Sequence, residues 1–297
     1  MRPPSEPRTQ PLTFSPSLIP AAREAYDLAH RHCPNAIGGD CTWYHSAWLY
    51  LRALGVVKSA GGHATFLHDQ LTAMGRKRGA QRVLVSGAAD DATVLIAIAA
   101  FRDASTPLDL TLIDRCETPL ALSRWSAGHA ESSLQTYHTD VLGFEARPFD
   151  VIIANSFLAF VHETARPQLF ARWSTLLEPG GTLLLTNRLR PGAAPSGVGF
   201  TTQQADRFCA ETAAQAREHR AELDVDPAEL ERMAHEYVRR LMGFPLATIQ
   251  ELEALLAYAG FAIEHVDVAV AGAKDHAISG PASAESGRYV RLLARRR

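Results

Sequence analysis

A short apolar run that stops at a glycine constrains the fold of this chain more than any other stretch. Residues 82–86 read Arg-Val-Leu-Val-Ser, and Gly87 ends the run. An apolar segment over residues 92–101 follows, which Asp90 or Asp91 can cap as a helix. The pattern predicts a strand, a tight turn and a helix whose first N–H groups face a ligand. The residues predicted to line the ligand at this turn are Ser86, Gly87 and Ala88.

The two carboxylates at the turn bear on the kind of ligand. Asp90 and Asp91 would repel a phosphate, whereas they would attract a ligand with a cationic centre. S-adenosylmethionine (SAM), with its sulfonium and ammonium groups, fits that description. The turn is poor in glycine, because Ala89 and Asp91 stand where further glycines are usual. A buried strand and helix of any α/β protein would give a similar pattern, so both interpretations stay open at this point.

Charge and hydropathy argue against several classes of function. The 297-residue chain has 30 Lys and Arg against 32 Asp and Glu, a balance that predicts no nucleic-acid partner. No apolar stretch reaches the length of a membrane span, and the proline-rich N-terminus lacks the apolar core of a signal peptide. We therefore expect a cytoplasmic protein without a membrane partner.

The cysteines and histidines predict no metal site. The four cysteines form no Cys-x-x-Cys pair, which argues against zinc and against a disulfide framework. The twelve histidines are scattered along the chain, without a spacing typical of metal ligands.

Helices are predicted throughout residues 1–80, after a proline-rich arm over residues 1–16. They span residues 17–32, 42–54 and 63–74, the last one closed by Gly75. The second helix is rich in aromatic residues: Trp43, Tyr44, His45 and Trp48. These side chains either anchor the helix by packing, or close over the ligand as a lid, because aromatic faces attract a sulfonium.

Strands and helices alternate from residue 81 onward, which predicts a parallel sheet with helices on both faces. The second strand, residues 108–114, ends in Asp114, placed either to accept hydrogen bonds from two ribose hydroxyls or to cap the following helix. After the third strand, residues 134–138, Asp140 is an adenine ligand or a solvated turn residue. Arg115 and Val141, next to these two carboxylates, complete this side of the predicted site.

The fourth strand, residues 149–154, ends at the same edge of the sheet. Asn155, Phe157 and His162 follow it and therefore lie near any ligand. We expect Asn155 to hold a reacting group, with a cap on its own turn as the alternative. His162 and His45 are the candidate general bases, and Tyr44 is a further catalytic candidate; each is also explained by hydrogen bonding or packing.

The order of these motifs resembles the class I SAM-dependent methyltransferases. The resemblance rests on Val83 to Gly87, Leu112-Ile113-Asp114, residues 149–155, and the turn Leu177-Glu178-Pro179-Gly180-Gly181 before a strand over residues 182–186. It implies a Rossmann-like sheet of seven mostly parallel strands, the last one antiparallel. It also implies that Gly87 lines the methionine part of SAM, Asp114 the ribose and Asp140 the adenine. The family usually has an acid where this chain has Val85.

A helical insertion is predicted over residues 200–243, before the sheet resumes. Its helices, residues 201–220 and 227–241, cover the substrate pocket in such families; the alternative is a peripheral pair used in a homodimer. A helix over residues 248–258, a strand over 261–270, a turn over 280–286 and a closing strand over 288–294 complete residues 81–297 as one SAM-binding domain.

The sequence predicts a SAM-dependent methyltransferase that acts on a nitrogen, oxygen or carbon atom of a small molecule. One alternative is an enzyme that consumes SAM without methylating, such as a SAM cyclase that forms azetidine-2-carboxylate and methylthioadenosine, since a closed aromatic lid suits a pocket without a second substrate. Another is a SAM-binding protein without catalytic activity.

Overall fold

A computed structural model describes residues 14–57, 61–190, 197–270 and 288–297. The helices are α1 (Ile19–His32), α2 (Thr42–Ala53), α3 (Gly61–Arg78), α4 (Ala92–Asp103), α5 (Glu117–His129), α6 (Arg166–Leu176), α7 (Thr202–Glu218), α8 (Pro227–Arg240) and α9 (Ile249–Tyr258). The strands are β1 (Gln81–Ser86), β2 (Leu108–Asp114), β3 (Gln135–His138), β4 (Phe149–Asn155), β5 (Leu177–Leu189), β6 (Phe261–Val270) and β7 (Arg288–Arg296).

The strands form one seven-stranded sheet in the order β3-β2-β1-β4-β5-β7-β6. Neighbours from β3 to β5 pair in parallel, and β7 pairs antiparallel with both β5 and β6. The predicted mostly parallel sheet with an antiparallel last strand is confirmed. The chain order reverses at β1, which lies between β2 and β4. Ligands of such sheets bind at that reversal, beyond the carboxyl ends of the strands.

Both faces of the sheet are buried, which explains the continuous apolar runs of its central strands. Successive side chains of β1 and β2 point to opposite faces of the sheet and therefore enter two different cores. One core is closed by α3 and α4, and the other by α6 and α9. Trp173 of α6 and Phe101 of α4 are fully buried in these two layers. The sheet is thereby held rigidly under the edge where the predicted site lies.

A third core joins the N-terminal helices to the insertion. Tyr50 of α2 is fully buried in this core, as is Phe208 of α7, and Tyr237 of α8 is nearly so. Tyr237 stacks on Phe208 with ring centroids 5.6 Å apart. Because the apolar face of the insertion is covered by α2 of the same chain, the two segments form one helical layer and not a peripheral pair.

The end of α3 and the start of β5 differ from the sequence-based predictions. Helix α3 does not end at Gly75 but continues to Arg78, and Gly79 follows with a φ of +79°. A Cβ at position 75 would lie 2.8 Å from the Cβ of Ala104, so this glycine permits close packing instead of ending the helix. Strand β5 begins at Leu177, so the predicted turn at 178–181 lies within the strand, with Gly180 at a φ of +74°.

Residues 1–13 of the arm predicted over residues 1–16, and the turn predicted over 280–286, fall outside the described residues. Among the helices that the structure describes, none has both the length and the apolar character needed to cross a membrane.

Candidate functional site

The turn after β1 has the backbone conformation that the sequence predicted. Gly87 has a φ of +78°, and its N–H donates to the carbonyl of Ile113 at 2.9 Å. A Cβ at this position would lie 2.4 Å from the ring of Phe157, which follows β4. A side chain at position 87 would therefore displace the Phe157 ring as well as strain the turn.

Asp114 lies beside this turn, because β1 and β2 are parallel neighbours that end together. Its Oδ2 accepts a hydrogen bond from the N–H of Ala88 at 3.0 Å, and its Oδ1 accepts from the N–H of Cys116 at 2.8 Å. Burial raises the pKa of the Asp114 carboxyl, and the Ala88 hydrogen bond partly opposes that shift. Each oxygen keeps a lone pair for a ligand hydroxyl.

Asp90 connects the turn to α2. Its Oδ1 accepts from the N–H of Ala92 at 2.9 Å, so the first N–H of α4 bonds to the side chain of Asp90 and not to that of the N-cap residue Asp91. Its Oδ2 accepts from Trp48 Nε1 at 2.8 Å and pairs with the Arg52 guanidinium. Asp91 instead accepts a hydrogen bond from the Ser126 hydroxyl of α5. The two carboxylates thus orient the helices around the turn.

An aromatic wall stands over this edge of the sheet. It is centred on Tyr44 of α2, which stacks on Trp48 and Tyr237 at centroid distances of 5.5 and 5.9 Å. Phe160, in the segment after β4, meets the Tyr44 ring edge-on at 5.7 Å and is half exposed. Burial, with Tyr237, Asp90 and Asp114 nearby, raises the pKa of Tyr44 well above its ordinary value. The Tyr44 phenol therefore stays protonated at neutral pH and is a hydrogen-bond donor, not a base.

The predicted adenine side contains Asp140, Val141 and Arg115. Asp140 Oδ1 accepts from the N–H of Leu142 at 2.9 Å, and its Oδ2 lies 3.5 Å from Arg115 Nε. Val141 is buried in the core beneath. The Asp140 carboxylate is partly exposed, as a residue beside a ligand requires, but it also fits the solvated-turn alternative.

Asn155 is held by two neighbouring elements. Its Nδ2 donates to Thr93 Oγ1 of α4 at 3.1 Å, and its Oδ1 accepts from Thr186 Oγ1 of β5 at 2.6 Å. The alternative of a cap on its own turn is wrong, because the amide bonds to side chains of other elements, and the expected role of Asn155 in holding a reacting group stays a prediction. Ser156 follows at a φ of +55°, which turns the chain toward Phe157.

Two further candidates are placed apart from the reacting edge. The Ser86 hydroxyl is fully buried and accepts from Trp173 Nε1 at 3.0 Å, so only the backbone of Ser86 faces the turn. His162 is exposed, and its Nδ1 bonds Thr164 Oγ1 at 2.8 Å as the cap of a short 3₁₀ turn. Because this nitrogen has a local partner, the structure gives a structural role to His162, and its role as a base stays a prediction.

Sequence reasoning missed a cluster of metal-ligating groups. Cys33, Cys41, His45 and Cys116, named here the thiol–imidazole cluster, place their donor atoms within 4.8 Å of one another. Hydrogen bonds from the Cys33 and Cys41 thiols lower the pKa of Cys116, and the same contact raises the pKa of Cys33 to about 12. The expectation that no such group exists was wrong, because the fold gathers residues that are far apart in sequence. His45 lies in this cluster, which disfavours its role as a general base.

A separate surface groove of about 430 Å³ lies between α3 and α4. Its lining includes His68, Asp69 and Leu95 and none of the residues described above. His68 in this groove pairs with Asp69 at 3.5 Å, but neither residue lies at the carboxyl ends of the strands, where ligands of such sheets bind. The candidate site is therefore the sheet edge at the Gly87 turn.

Comparison with known proteins bears on the cofactor. A family model described as a methyltransferase domain matches residues 94–185. The fold is that of the class I SAM-dependent methyltransferases. A methyltransferase domain is what the sequence predicted, with SAM as the cofactor that this resemblance implies. A search of curated proteins found no significant match.

Solved structures of this fold include a putative sarcosine dimethylglycine methyltransferase from Galdieria sulphuraria. It is 11% identical, with a TM-score of 0.52 over 83% of this chain and 96% of that one. The N-methyltransferase NodS from Bradyrhizobium japonicum WM9, in complex with S-adenosyl-L-homocysteine, is 15% identical, with a TM-score of 0.46 over 92% and 98%. The [4+2]-cyclase SpnF is 16% identical, with a TM-score of 0.49 over 77% and 79%. At 11% identity, the similarity to the Galdieria sulphuraria protein shows the fold alone.

The residues at the turn fit SAM. The absence of a side chain at Gly87 permits the close approach of the Phe157 ring to the turn, and Asp114 presents acceptors for two hydroxyls. The half-buried Trp48, which bonds to Asp90 at the turn, supplies an aromatic ring to which a sulfonium is attracted. The family's usual acid at position 85 is absent, and Val85 is buried in the core.

Proposed function

We propose that this chain is a SAM-dependent methyltransferase that acts on a small molecule. The observation that carries the proposal is the pairing of Gly87 and Asp114 at the chain reversal of the sheet, under the aromatic wall of α2. In this arrangement the Gly87 turn binds the methionine part of SAM, and Asp114 binds the ribose hydroxyls.

The residues at this edge orient the reactants and exclude water. When bound, SAM supplies an electrophilic methyl group. Asp114 binds the ribose. Tyr44 and Phe160 cover the site on the side of α2. Asn155 lines the opposite side, where its bonds to α4 and β5 fix its orientation. Positioning of this kind accounts for most of the catalysis that such a transfer requires. The Tyr44 phenol, whose pKa is raised, is a hydrogen-bond donor toward an acceptor molecule.

Arg190 supports an anionic group on that acceptor. It follows β5 directly, at the carboxyl edge of the sheet, and burial lowers its pKa to about 10. Among the described residues, no carboxylate pairs with it, and its electrostatic neighbours are Arg188 and the phenols of Tyr237 and Tyr289. A partly buried cation of this kind needs a negative partner, which a substrate carboxylate would supply.

Product analysis tests the proposal. We would incubate the full chain with SAM and pools of small amines, phenols and carboxylic acids, and identify the products by mass spectrometry. Methyl transfer yields S-adenosylhomocysteine together with a product heavier by one methylene. Asp114→Asn should suppress both products, and the matched variant Asp109→Asn, at the other end of β2, should not.

The same measurement separates the alternatives. Methylthioadenosine formed from SAM alone would contradict methyl transfer and identify intramolecular chemistry, which the aromatic wall also suits. SAM binding without any product from the pools would favour a non-catalytic binding protein. Loss of SAM binding altogether would contradict the cofactor assignment itself.

A further inference from the structure

The thiol–imidazole cluster has the dimensions of a site for one metal ion. In a tetrahedral zinc site with Zn–S bonds of about 2.3 Å, two sulfur ligands lie roughly 3.8 Å apart. Cys33 Sγ and Cys116 Sγ are 3.5 Å apart, and no donor pair in the cluster is separated by more than 4.8 Å. Adjustments of about 1 Å or less would bring all four donors to one centre.

The four residues of the cluster come from three parts of the chain that the fold brings together. Cys33 begins the 3₁₀ turn after α1, and Cys41 precedes the first turn of α2. His45 lies four residues after Cys41, so that both face the same side of that helix start. Cys116 is the N-cap of α5 and follows the end of β2. The cluster therefore joins α1, α2 and α5 at the edge of the sheet.

Groups around the cluster support its sulfurs. Thr118 Oγ1 lies 3.1 Å from Cys33 Sγ, and the N–H of Thr118 donates to Cys116 Sγ at 3.4 Å. The Thr118 hydroxyl also lies 3.3 Å from the carbonyl of Leu28 in α1. Three of the four cluster residues are buried, and Cys41 is half-buried. Outer hydrogen bonds of this kind orient the ligands of metal sites.

We infer that the thiol–imidazole cluster binds one zinc ion in a closed tetrahedral site. Three thiolates and one imidazole are ligands that zinc prefers, and four protein ligands leave no position for a substrate or water. The role of the ion is therefore structural: it fastens the helices of the N-terminal layer to the end of β2.

The ion also acts on the cofactor site, a consequence that rests on the proposed function. The N–H of Cys116 donates to Asp114 Oδ1 at 2.8 Å, so a zinc ion that fixes Cys116 also fixes one of the two backbone groups that orient this carboxylate. His45 of the cluster meets the ring of Tyr44 edge-on, with ring centroids 5.1 Å apart. Zinc would thus position both Asp114 and the aromatic wall.

Metal analysis of the full chain tests the inference without SAM. Purified without a polyhistidine tag or chelator, the protein should contain about one zinc per chain by plasma mass spectrometry. Cys116→Ser and His45→Ala should lose the zinc, whereas His45→Cys should retain it, because four thiolates also bind zinc. The matched control is Cys209→Ser, since Cys209 is a buried thiol of α7 outside the cluster.

A measurement on the wild-type chain guards against variants that do not fold. Titration of its thiols with an organomercurial should release zinc to a chromogenic chelator, and stripping the ion should lower the melting temperature. Protein that binds no metal even after reconstitution with zinc would overturn the inference. So would a Cys33–Cys116 disulfide in the purified chain, or iron with acid-labile sulfide. Each result stands whether or not the chain methylates a substrate.

Discussion

Asp114 is the residue on which the cofactor site depends most. Each of its carboxylate oxygens accepts one backbone hydrogen bond, from Ala88 and from Cys116. These bonds fix the plane of the carboxylate and leave a lone pair on each oxygen for a ribose hydroxyl. The two bonds also join the Gly87 turn to the start of α5, so the residue organises the site before any ligand is present.

Asp114→Asn should weaken SAM binding roughly tenfold to a hundredfold, the equivalent of about 1.5–3 kcal/mol for a lost charged acceptor. Asparagine keeps the shape of the side chain but only one acceptor oxygen, so one of the two backbone hydrogen bonds is lost, and the melting temperature of the variant is measured beside its SAM affinity. Isothermal calorimetry measures the change. Asp109→Asn, on the same strand but paired with Arg82 at the opposite end, is the control and should bind SAM as the wild type does.

Gly87→Ala tests the close approach at the turn. Alanine at a positive φ lowers the stability of the fold by about 1 kcal/mol, and its Cβ would also clash with the Phe157 ring. The control is Gly260→Ala, because Gly260 has a φ of +80° and open space around a Cβ. Both variants should lose similar backbone stability, but only Gly87→Ala should lose SAM affinity. Equal affinities in the two variants would remove the turn from the site.

At the scale of elements, α2 is tied to the β1 turn through Asp90. Trp48→Phe keeps the ring that stacks on Tyr44 but removes the N–H that donates to Asp90 at 2.8 Å. A hydrogen bond to a charged group contributes about 1.5–3 kcal/mol, so the free energy of unfolding in urea should fall by that amount. Trp125→Phe in α5, which contacts His129, should change it by about 0.5 kcal/mol or less. If Trp48→Phe lowers the free energy of unfolding by as little as Trp125→Phe does, the hydrogen bond to Asp90 does not stabilise the position of α2.

Phe160 tests whether the aromatic wall closes the site. Its ring is 51% exposed, so Phe160→Ala should leave the free energy of unfolding nearly unchanged. Loss of its contact with Tyr44 should open the edge to water and lower kcat about tenfold. Tyr258→Ala, at an exposed position of α9, is the control for both measurements. A normal kcat in Phe160→Ala would make the contact structural only.

At the scale of the whole molecule, sequence patterns predicted what depends on local periodicity. The strands, their parallel order and the positions of Gly87 and Asp114 followed from apolar runs and from residues at their ends. The end of α3 was predicted wrongly at Gly75, because the reason for that glycine is its packing against Ala104, a contact far away in sequence. A residue's partner in another element leaves no local signal.

The partners of the site residues show the same limit. The bonds of Asn155 to Thr93 and Thr186 join three elements, and the thiol–imidazole cluster draws ligands from residues 33 to 116. One local signal was present, since Cys41 and His45 are spaced four apart at a helix start. It carried no weight without Cys33 and Cys116, which only the fold brings to the same point.

A structure of the full chain with S-adenosylhomocysteine tests the central claim most directly. We predict the ligand at the carboxyl edge of β1, with both ribose hydroxyls on Asp114, the amino acid part against the Gly87 turn and the aromatic wall above it. Density for the ligand in the groove between α3 and α4, or a ribose without contact to Asp114, would contradict the account.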